Sequence, residues 1–392
     1  MHIAMVTNGP VPAEGGLSTH IETLTLGLRD LGDQATVVSA RERNDLSAKV
    51  ARETGYYLHK YGRFTGRILR FMIEHRKQAR QLSADLVSSC AVGHFDAINY
   101  HGVMAMLAAT AGANDLGLPQ VLTVHDYLAA GFVGVGVIRK GGAWERRFLE
   151  WERATFEAAT EVVCVDTRLG RHVQSITHGR VNPHIIHNCV HPAFVDLGTQ
   201  RKAYTGASPF VILCARRLTP KNGVMFAVEM ARELSRRNVD FVLNLAGSGE
   251  ERGMIEGAIE RHQLESRVRM LGPIDRSQMM EEMRRSSAAI VPSVTHDGVE
   301  EATSISVMEG MAAGLPVIGS SIGGIAELIT DGVNGFLVEQ RSPVALADAV
   351  SALISDAELT ARIGESAHRH AKGTFSHTVH AEKLRAVYQR CL

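Results

Sequence analysis

A chain of 392 residues is more than one ordinary hydrophobic core organises, and its length points to two domains of about 200 residues each. Its composition, 45% hydrophobic and 21% charged, is that of a globular protein and excludes wholesale disorder. With 42 basic and 42 acidic side chains the formal net charge is zero, which argues against a dedicated nucleic-acid binder.

The chain opens with an apolar run, His2 to Val6, then a Gly/Pro-rich loop to Gly16 and a helical pattern from Leu17 to Leu31. A second apolar run follows at Ala35 to Ser39, so the opening reads as a βαβ unit of a parallel sheet. The N-terminus has no basic region before its apolar run and is not expected to act as a signal peptide. Between Lys60 and Arg80, Lys60, Arg63, Arg67, Arg70, Arg76, Lys77 and Arg80 face a lone acid, Glu74. Phe64, Ile68, Phe71, Met72 and Ile73 interleave with them at rough helical spacing. Such a helix either lies on an anionic membrane, grips an anionic acceptor, or is simply a solvated face. Further strands are predicted at Ala97–Asn99, Gln120–Val124, Glu161–Val165 and His184–Ile186.

Residues 193–209 mix Gly, Pro, Thr and Ser with little periodicity and read as a linker between domains spanning 1–192 and 210–375. The pattern then restarts, with a strand at Phe210–Cys214, a helix at Gly223–Arg237 and a strand at Phe241–Ala246. Strands at Val268–Leu271, Ala288–Val291, Pro316–Ile318 and Gly335–Val338 alternate with helical stretches. Residues 376–392 form an amphipathic helix expected to pack back on the N-terminal domain. The fold class is therefore α/β, two Rossmann-like doubly wound domains, with ligands expected at the carboxyl ends of the strands.

The longest nearly apolar stretches, Val103 to Ala113 and Tyr127 to Ile138, are shorter than the ~18–20 residues that cross a bilayer. Cys90, Cys164, Cys189, Cys214 and Cys391 are scattered without a Cys-x-x-Cys pair, which suits a cytoplasmic compartment and no structural zinc.

The densest chemical signal lies between Val291 and Val338. Ser304 is placed as an N-cap, Gly314 as the residue after a helix end, and Pro316 blocks continuation. The amides of Ile305 and Ser306 would then carry the partial positive charge that suits a diphosphate. Glu301 would sit beside that terminus, and Glu309, about one turn inside, could accept hydrogen bonds from a polyol such as ribose. A capping acid and a solvated helix acid are the bland alternatives. Arg216, Arg217 and Lys221 follow the second domain's first strand and, taken alone, read as surface cations at a strand end, although a guanidinium fork and an ammonium also suit phosphate oxygens.

The pair Glu301…Glu309, the run Glu309-Gly310-Met311-Ala312-Ala313-Gly314-Leu315-Pro316 and the run Gly323-Gly324-Ile325-Ala326-Glu327-Leu328 resemble the family-4 retaining glycosyltransferases of GT-B fold. Asp331-Gly332-Val333-Asn334-Gly335-Phe336 continues the likeness, as do Arg216…Lys221, Ala246-Gly247-Ser248-Gly249 and Leu271-Gly272-Pro273. The resemblance implies two domains facing a cleft and a hexosyltransferase using a nucleotide sugar. It implies that Glu301 contacts the donor sugar, Glu309 the ribose, Arg216 and Lys221 the diphosphate, and Gly272 the base. Gly247 belongs to a tight turn near the donor. Gly15 and Gly16, where backbone can approach a ligand closely, are implied to lie against the diphosphate or acceptor.

His125, after a strand end, is implied to contact the donor sugar. His20, His101, His296 and Asp297 are weaker site candidates. The sequence departs from the family at Ala215 and Ala302, where glycine is common, and at Thr167, where serine is usual; these changes bear on pocket shape.

On this reading the chain is a retaining glycosyltransferase with no metal, no cofactor, and a donor taken to be a UDP-sugar. The acceptor is open: a small molecule, a glycan or a lipid-linked acceptor. Competing readings are a sugar-nucleotide epimerase on the same scaffold, a non-catalytic nucleotide-sugar-binding subunit and, more distantly, an NAD(P) dehydrogenase, for which no complete Gly-x-Gly-x-x-Gly follows the first strand.

Overall fold

The computed structural model describes residues 1–9, 11, 16–39, 64–134, 136–202, 204–206, 209–296 and 300–392, with the side chains of 64–75 and 110–114 left aside. Gly15, Asp297, Lys60, Arg63 and the side chains of Arg67 and Arg70 fall outside the described residues.

Two compact units divide the chain, one formed by Met1–Ile186 with Ala381–Leu392 and the other by His187–His380. The first holds a parallel six-stranded sheet of β1 (His2–Thr7), β2 (Gln34–Ser39), β3 (Ala97–His101), β4 (Gln120–Val124), β5 (Glu161–Cys164) and β6 (His184–Ile185), ordered β2-β1-β3-β4-β5-β6. Every residue of β3 is buried, as expected of an inner parallel strand covered on both faces. Because β1 pairs with β2 on one side and β3 on the other, the strand order reverses between β1 and β3. The carboxyl ends at this switch point form a natural ligand crevice.

The last helix, His377–Cys391, enters the first unit from Ala381 onward. Its Ala381, Leu384 and Tyr388 are buried in a core with Ile3, Met5, Ile21 and Leu24. The Tyr388 hydroxyl accepts from Asn99 Nδ2 at 2.7 Å, and Asn99 Oδ1 accepts from Thr123 at 2.9 Å, so a buried polar chain ties this helix to β3 and β4.

The second unit has its own parallel six-stranded sheet of β7 (Phe210–Ala215), β8 (Phe241–Ala246), β9 (Val268–Gly272), β10 (Ala288–Val291), β11 (Val317–Ser320) and β12 (Phe336–Val338), ordered β12-β11-β10-β7-β8-β9. Here the order reverses between β7 and β10.

The stretch read as linker begins with a helix, Pro192–Gln200, that its composition does not announce. Pro192 stands in its first turn, where a missing N–H is harmless, and His191 Nδ1 accepts from Ala193 N at 3.3 Å. Gly198, which reads as a breaker, sits where a Cβ would come within 2.1 Å of the Ala312 carbonyl oxygen. It permits close packing of two helices rather than ending one. Among the described residues no helix is long and apolar enough to cross a membrane.

Candidate active site

The switch point of the second unit gathers most of the predicted donor residues. Arg216 leaves β7 with its backbone N–H donating to Ala246 O at 2.9 Å, and its guanidinium reaches over the ends of β7 and β10. Nη2 donates to Asn222 Oδ1 at 2.7 Å and Ser293 Oγ at 3.0 Å, and lies 2.9 Å from Glu301 Oε2. Nη1 donates to Ser304 Oγ at 3.4 Å and Ser306 Oγ at 3.5 Å. The side chains of Arg216 and Glu301 are only 8% and 12% exposed, so the pair is largely desolvated and its mutual attraction is strong.

Ser304 stands at the N-cap of the helix Ile305–Ala312, yet its side chain makes no cap hydrogen bond. Its hydroxyl serves Arg216 instead. The Ser306 hydroxyl donates to Ala215 O at 3.2 Å, which fastens the helix start to the end of β7. The guanidinium therefore lies against the start of a helix, an arrangement suited to phosphate oxygens. Glu309, half-buried further along that helix, has its carboxyl pushed up to about 7 by burial, with the charge of Arg276 pulling the other way.

Lys221, in the short turn Pro220–Asn222, is exposed, and no described side-chain contact holds its ammonium. Its carbonyl accepts from Val294 N at 2.8 Å, which anchors the turn to the loop after β10.

Gly247 supports Arg216 directly. With φ at 140°, it lies where a Cβ would meet the Arg216 carbonyl oxygen at 2.0 Å, and its N–H donates to Gly272 O at 2.7 Å. Gly324 plays the same part for Glu301: its N–H donates to Glu301 O at 3.0 Å, and a Cβ there would lie 2.6 Å from the Ala302 carbonyl oxygen.

At the switch point of the first unit stand three histidines. His101 ends β3, His125 follows β4, and His20 lies in the helix Gly16–Asp30, which Gly16 opens. His101 Nδ1 is 3.2 Å from His125 Nε2. The ring centroids of His20 and His125 are 4.9 Å apart. Burial pushes the His125 imidazole down to about 4, so it is neutral at physiological pH. Both His101 and His125 line a cavity of about 460 Å³ with Asn8, Leu17, Tyr127 and Phe132. One ring nitrogen from each of the three histidines lies within 4.8 Å of the others, a donor set of the kind that holds a divalent ion.

Within the second unit, then, Arg216, Glu301, Ser304 and Ser306 come together, with Gly247 packed behind them. Two partners of Arg216 carried no sequence expectation. Ser293 follows Pro292 just past the apolar β10, and Asn222 sits between Lys221 and Gly223. For Ser293 the available signal was a polar residue just past a strand's carboxyl end beside the switch point. His20 and His101, weaker candidates alone, gain weight from their shared cluster with His125.

Two family models match the chain: glycosyltransferase family 4 over residues 14–194 and glycosyl transferases group 1 over residues 199–370. The uncharacterized glycosyltransferase MJ1178 of Methanocaldococcus jannaschii is 24% identical over 381 residues, 96% of this chain and 95% of that protein. The crystal structure of Anabaena Alr3699/HepE in complex with UDP superposes with a TM-score of 0.71 over 100% of both chains at 18% identity. Sucrose-phosphate synthase from Thermosynechococcus elongatus superposes with a TM-score of 0.72 over 99% of this chain and 98% of that one, at 17% identity. The two parallel sheets are thus those of a GT-B fold. With both family models matched in order along it, the chain is an enzyme and belongs to the group 1, family 4 glycosyltransferases.

Proposed function

We propose that the chain transfers a hexose from a nucleoside diphosphate, UDP in the first instance, to an acceptor hydroxyl with retention of anomeric configuration and without a metal ion. The observation that carries this reading is the convergence of Arg216, Ser304, Ser306 and the start of the helix Ile305–Ala312 on one spot beside Glu301. The diphosphate's negative charge is met there by Arg216, by Lys221 and by the amides of Ile305 and Ser306, so positive charge comes from the protein. Glu301 faces the transferred sugar, and Glu309 accepts from the ribose hydroxyls. His125, neutral, hydrogen-bonds a hydroxyl of the sugar. As the bond from the anomeric carbon to the diphosphate breaks, the departing phosphate oxygen takes the acceptor's hydroxyl proton, and the acceptor oxygen bonds to the same face. The choice of UDP is supported by the UDP bound in Anabaena HepE, a protein of the same fold.

Thermal shift with UDP, GDP and ADP tests the first step, since a nucleotide at a hundredfold excess over its Kd stabilises by about 2.7 kcal/mol. Nucleotide sugars are then screened by mass spectrometry for release of the diphosphate, and the anomeric configuration of the product is read by NMR. Stabilisation by none of the nucleotides, an inverted product, or conversion of donor to its epimer without diphosphate release would each sink the reading.

A further inference from the structure

We propose that His101 is a positioning residue that holds the His125 imidazole in one orientation through its Nε2; this rests on the glycosyl-transfer reading above. His101 is fully buried and is the last residue of β3, where it pairs in register with Thr123 of β4. The next residue continues the ladder, Gly102 N donating to Thr123 O at 2.8 Å. His101 therefore cannot move without the sheet, whereas His125 stands on a loop just beyond β4.

The two imidazoles meet at 3.2 Å through His101 Nδ1 and His125 Nε2, with their ring planes inclined by 24°. With one N–H on each ring, this contact couples the two tautomers: either His101 Nδ1–H donates to His125 Nε2, or His125 Nε2–H donates to His101 Nδ1. With Nε2 engaged by His101, Nδ1 is the His125 nitrogen left for a hydroxyl of the transferred sugar. Both rings line the same cavity of about 460 Å³, so the bond acts at the wall where a sugar would sit. Loss of the His101 partner removes the hydrogen bond at His125 Nε2 and leaves the ring held only by packing such as that of His20, 4.9 Å away between centroids.

Three variants test this in the full chain. His101→Phe keeps a ring and removes the hydrogen bond, His101→Asn places an amide near the position of Nδ1, and His125→Ala removes the ring being positioned. The expected result is a kcat for His101→Phe roughly fivefold below wild type, the scale of one neutral hydrogen bond, with UDP affinity unchanged. His101→Asn should recover most of that loss. In the His125→Ala background, His101→Phe should cost nothing further, because its effect runs through His125. A wild-type kcat for His101→Phe overturns the proposal, and so does an equal loss with or without His125. A lower donor KM in His101→Phe also overturns it, since the bond would then compete with the sugar.

Histidine-selective ¹⁵N NMR of the unliganded protein supplies a readout independent of turnover. The His125 Nε2 signal should shift between wild type and His101→Phe as its hydrogen-bond partner is lost, and an unchanged ring signal overturns the proposal. If wild type processes no nucleotide sugar, the glycosyl-transfer reading falls, and the NMR result alone decides what His101 does to His125.

Discussion

Arg216 Nη2 lies 2.9 Å from Glu301 Oε2, and both side chains are almost fully out of water. A buried ion pair is expensive to assemble and far more expensive to break from one side. Arg216 also donates to Asn222, Ser293, Ser304 and Ser306, so its guanidinium is fixed before any ligand arrives. Such preorganisation is what a site for a departing diphosphate needs, because donors already in place cost no reorganisation as charge develops.

Removing Arg216 takes the 2.9 Å guanidinium away from a largely buried carboxylate, a change that costs on the order of 3–5 kcal/mol. Arg216→Ala should therefore lower Tm by roughly 10 °C in differential scanning calorimetry, besides abolishing donor turnover. Glu301→Gln retains a hydrogen-bonding side chain of the same shape, so it should keep most of the stability and lose turnover. A thermally neutral Arg216→Ala variant with normal turnover would remove Arg216 from the site.

Glu309 supplies a pH-dependent test. Burial raises its folded carboxyl to about 7, above the ordinary value of 4.5. Its neutral form therefore contributes stability that is complete below about pH 4.5 and is lost as pH rises through about 7. Gln cannot ionise, so the Tm of Glu309→Gln minus that of wild type should climb between pH 5 and pH 8, by roughly 3 °C or more. Glu309→Ala should weaken UDP binding about tenfold, the scale of a hydrogen bond to a charged group, whereas Glu301→Ala should act mainly on turnover. A flat Tm difference would show that Glu309 titrates normally, and unaltered UDP affinity would remove it from the ribose.

Much of this was legible in the residues because each signal is local. The strands Gln120–Val124, Phe241–Ala246 and Ala288–Val291 are bounded as their apolar runs predict, and Ser304 stands at the N-cap position its spacing indicates. What escaped is tertiary. Ser293 reaches Arg216 across 77 positions of sequence, and His101 reaches His125 across 24, contacts that exist only once parallel strands align their carboxyl ends. The helix Pro192–Gln200 escaped because Gly198 punctuates the sequence for a reason of packing, its close approach to Ala312, that no local pattern displays.

On the proposed mechanism turnover should persist in excess EDTA, because Arg216, Lys221 and the helix amides would supply the positive charge that the diphosphate needs. The three-histidine donor set makes this a sharp test, since a divalent ion held there would sit on His125. Complete loss of activity in chelator, restored by magnesium or manganese, would overturn the metal-free mechanism.

Glycine substitutions separate the support of the site from the stability of the fold. Gly324 has no unusual φ, yet a Cβ there would lie 2.6 Å from the Ala302 carbonyl oxygen, backbone that carries Glu301 and receives the Gly324 N–H. Neither backbone can yield without moving Glu301, and overpacking of this kind costs about 1–3 kcal/mol. Gly257 lies within the helix Arg252–Arg261 with nothing inside 4 Å of its would-be Cβ, so alanine there gains helix propensity of about 0.5–1 kcal/mol at no steric cost. Gly324→Ala should lower Tm by roughly 2–10 °C and reduce kcat, although Gly324 is assigned no contact with the donor. Gly257→Ala should raise Tm by roughly 1–4 °C and leave kcat unchanged. If Gly324→Ala lost stability with full kcat, the Ala302 backbone would be absorbing the clash away from Glu301, and the loop would not be what places that carboxylate.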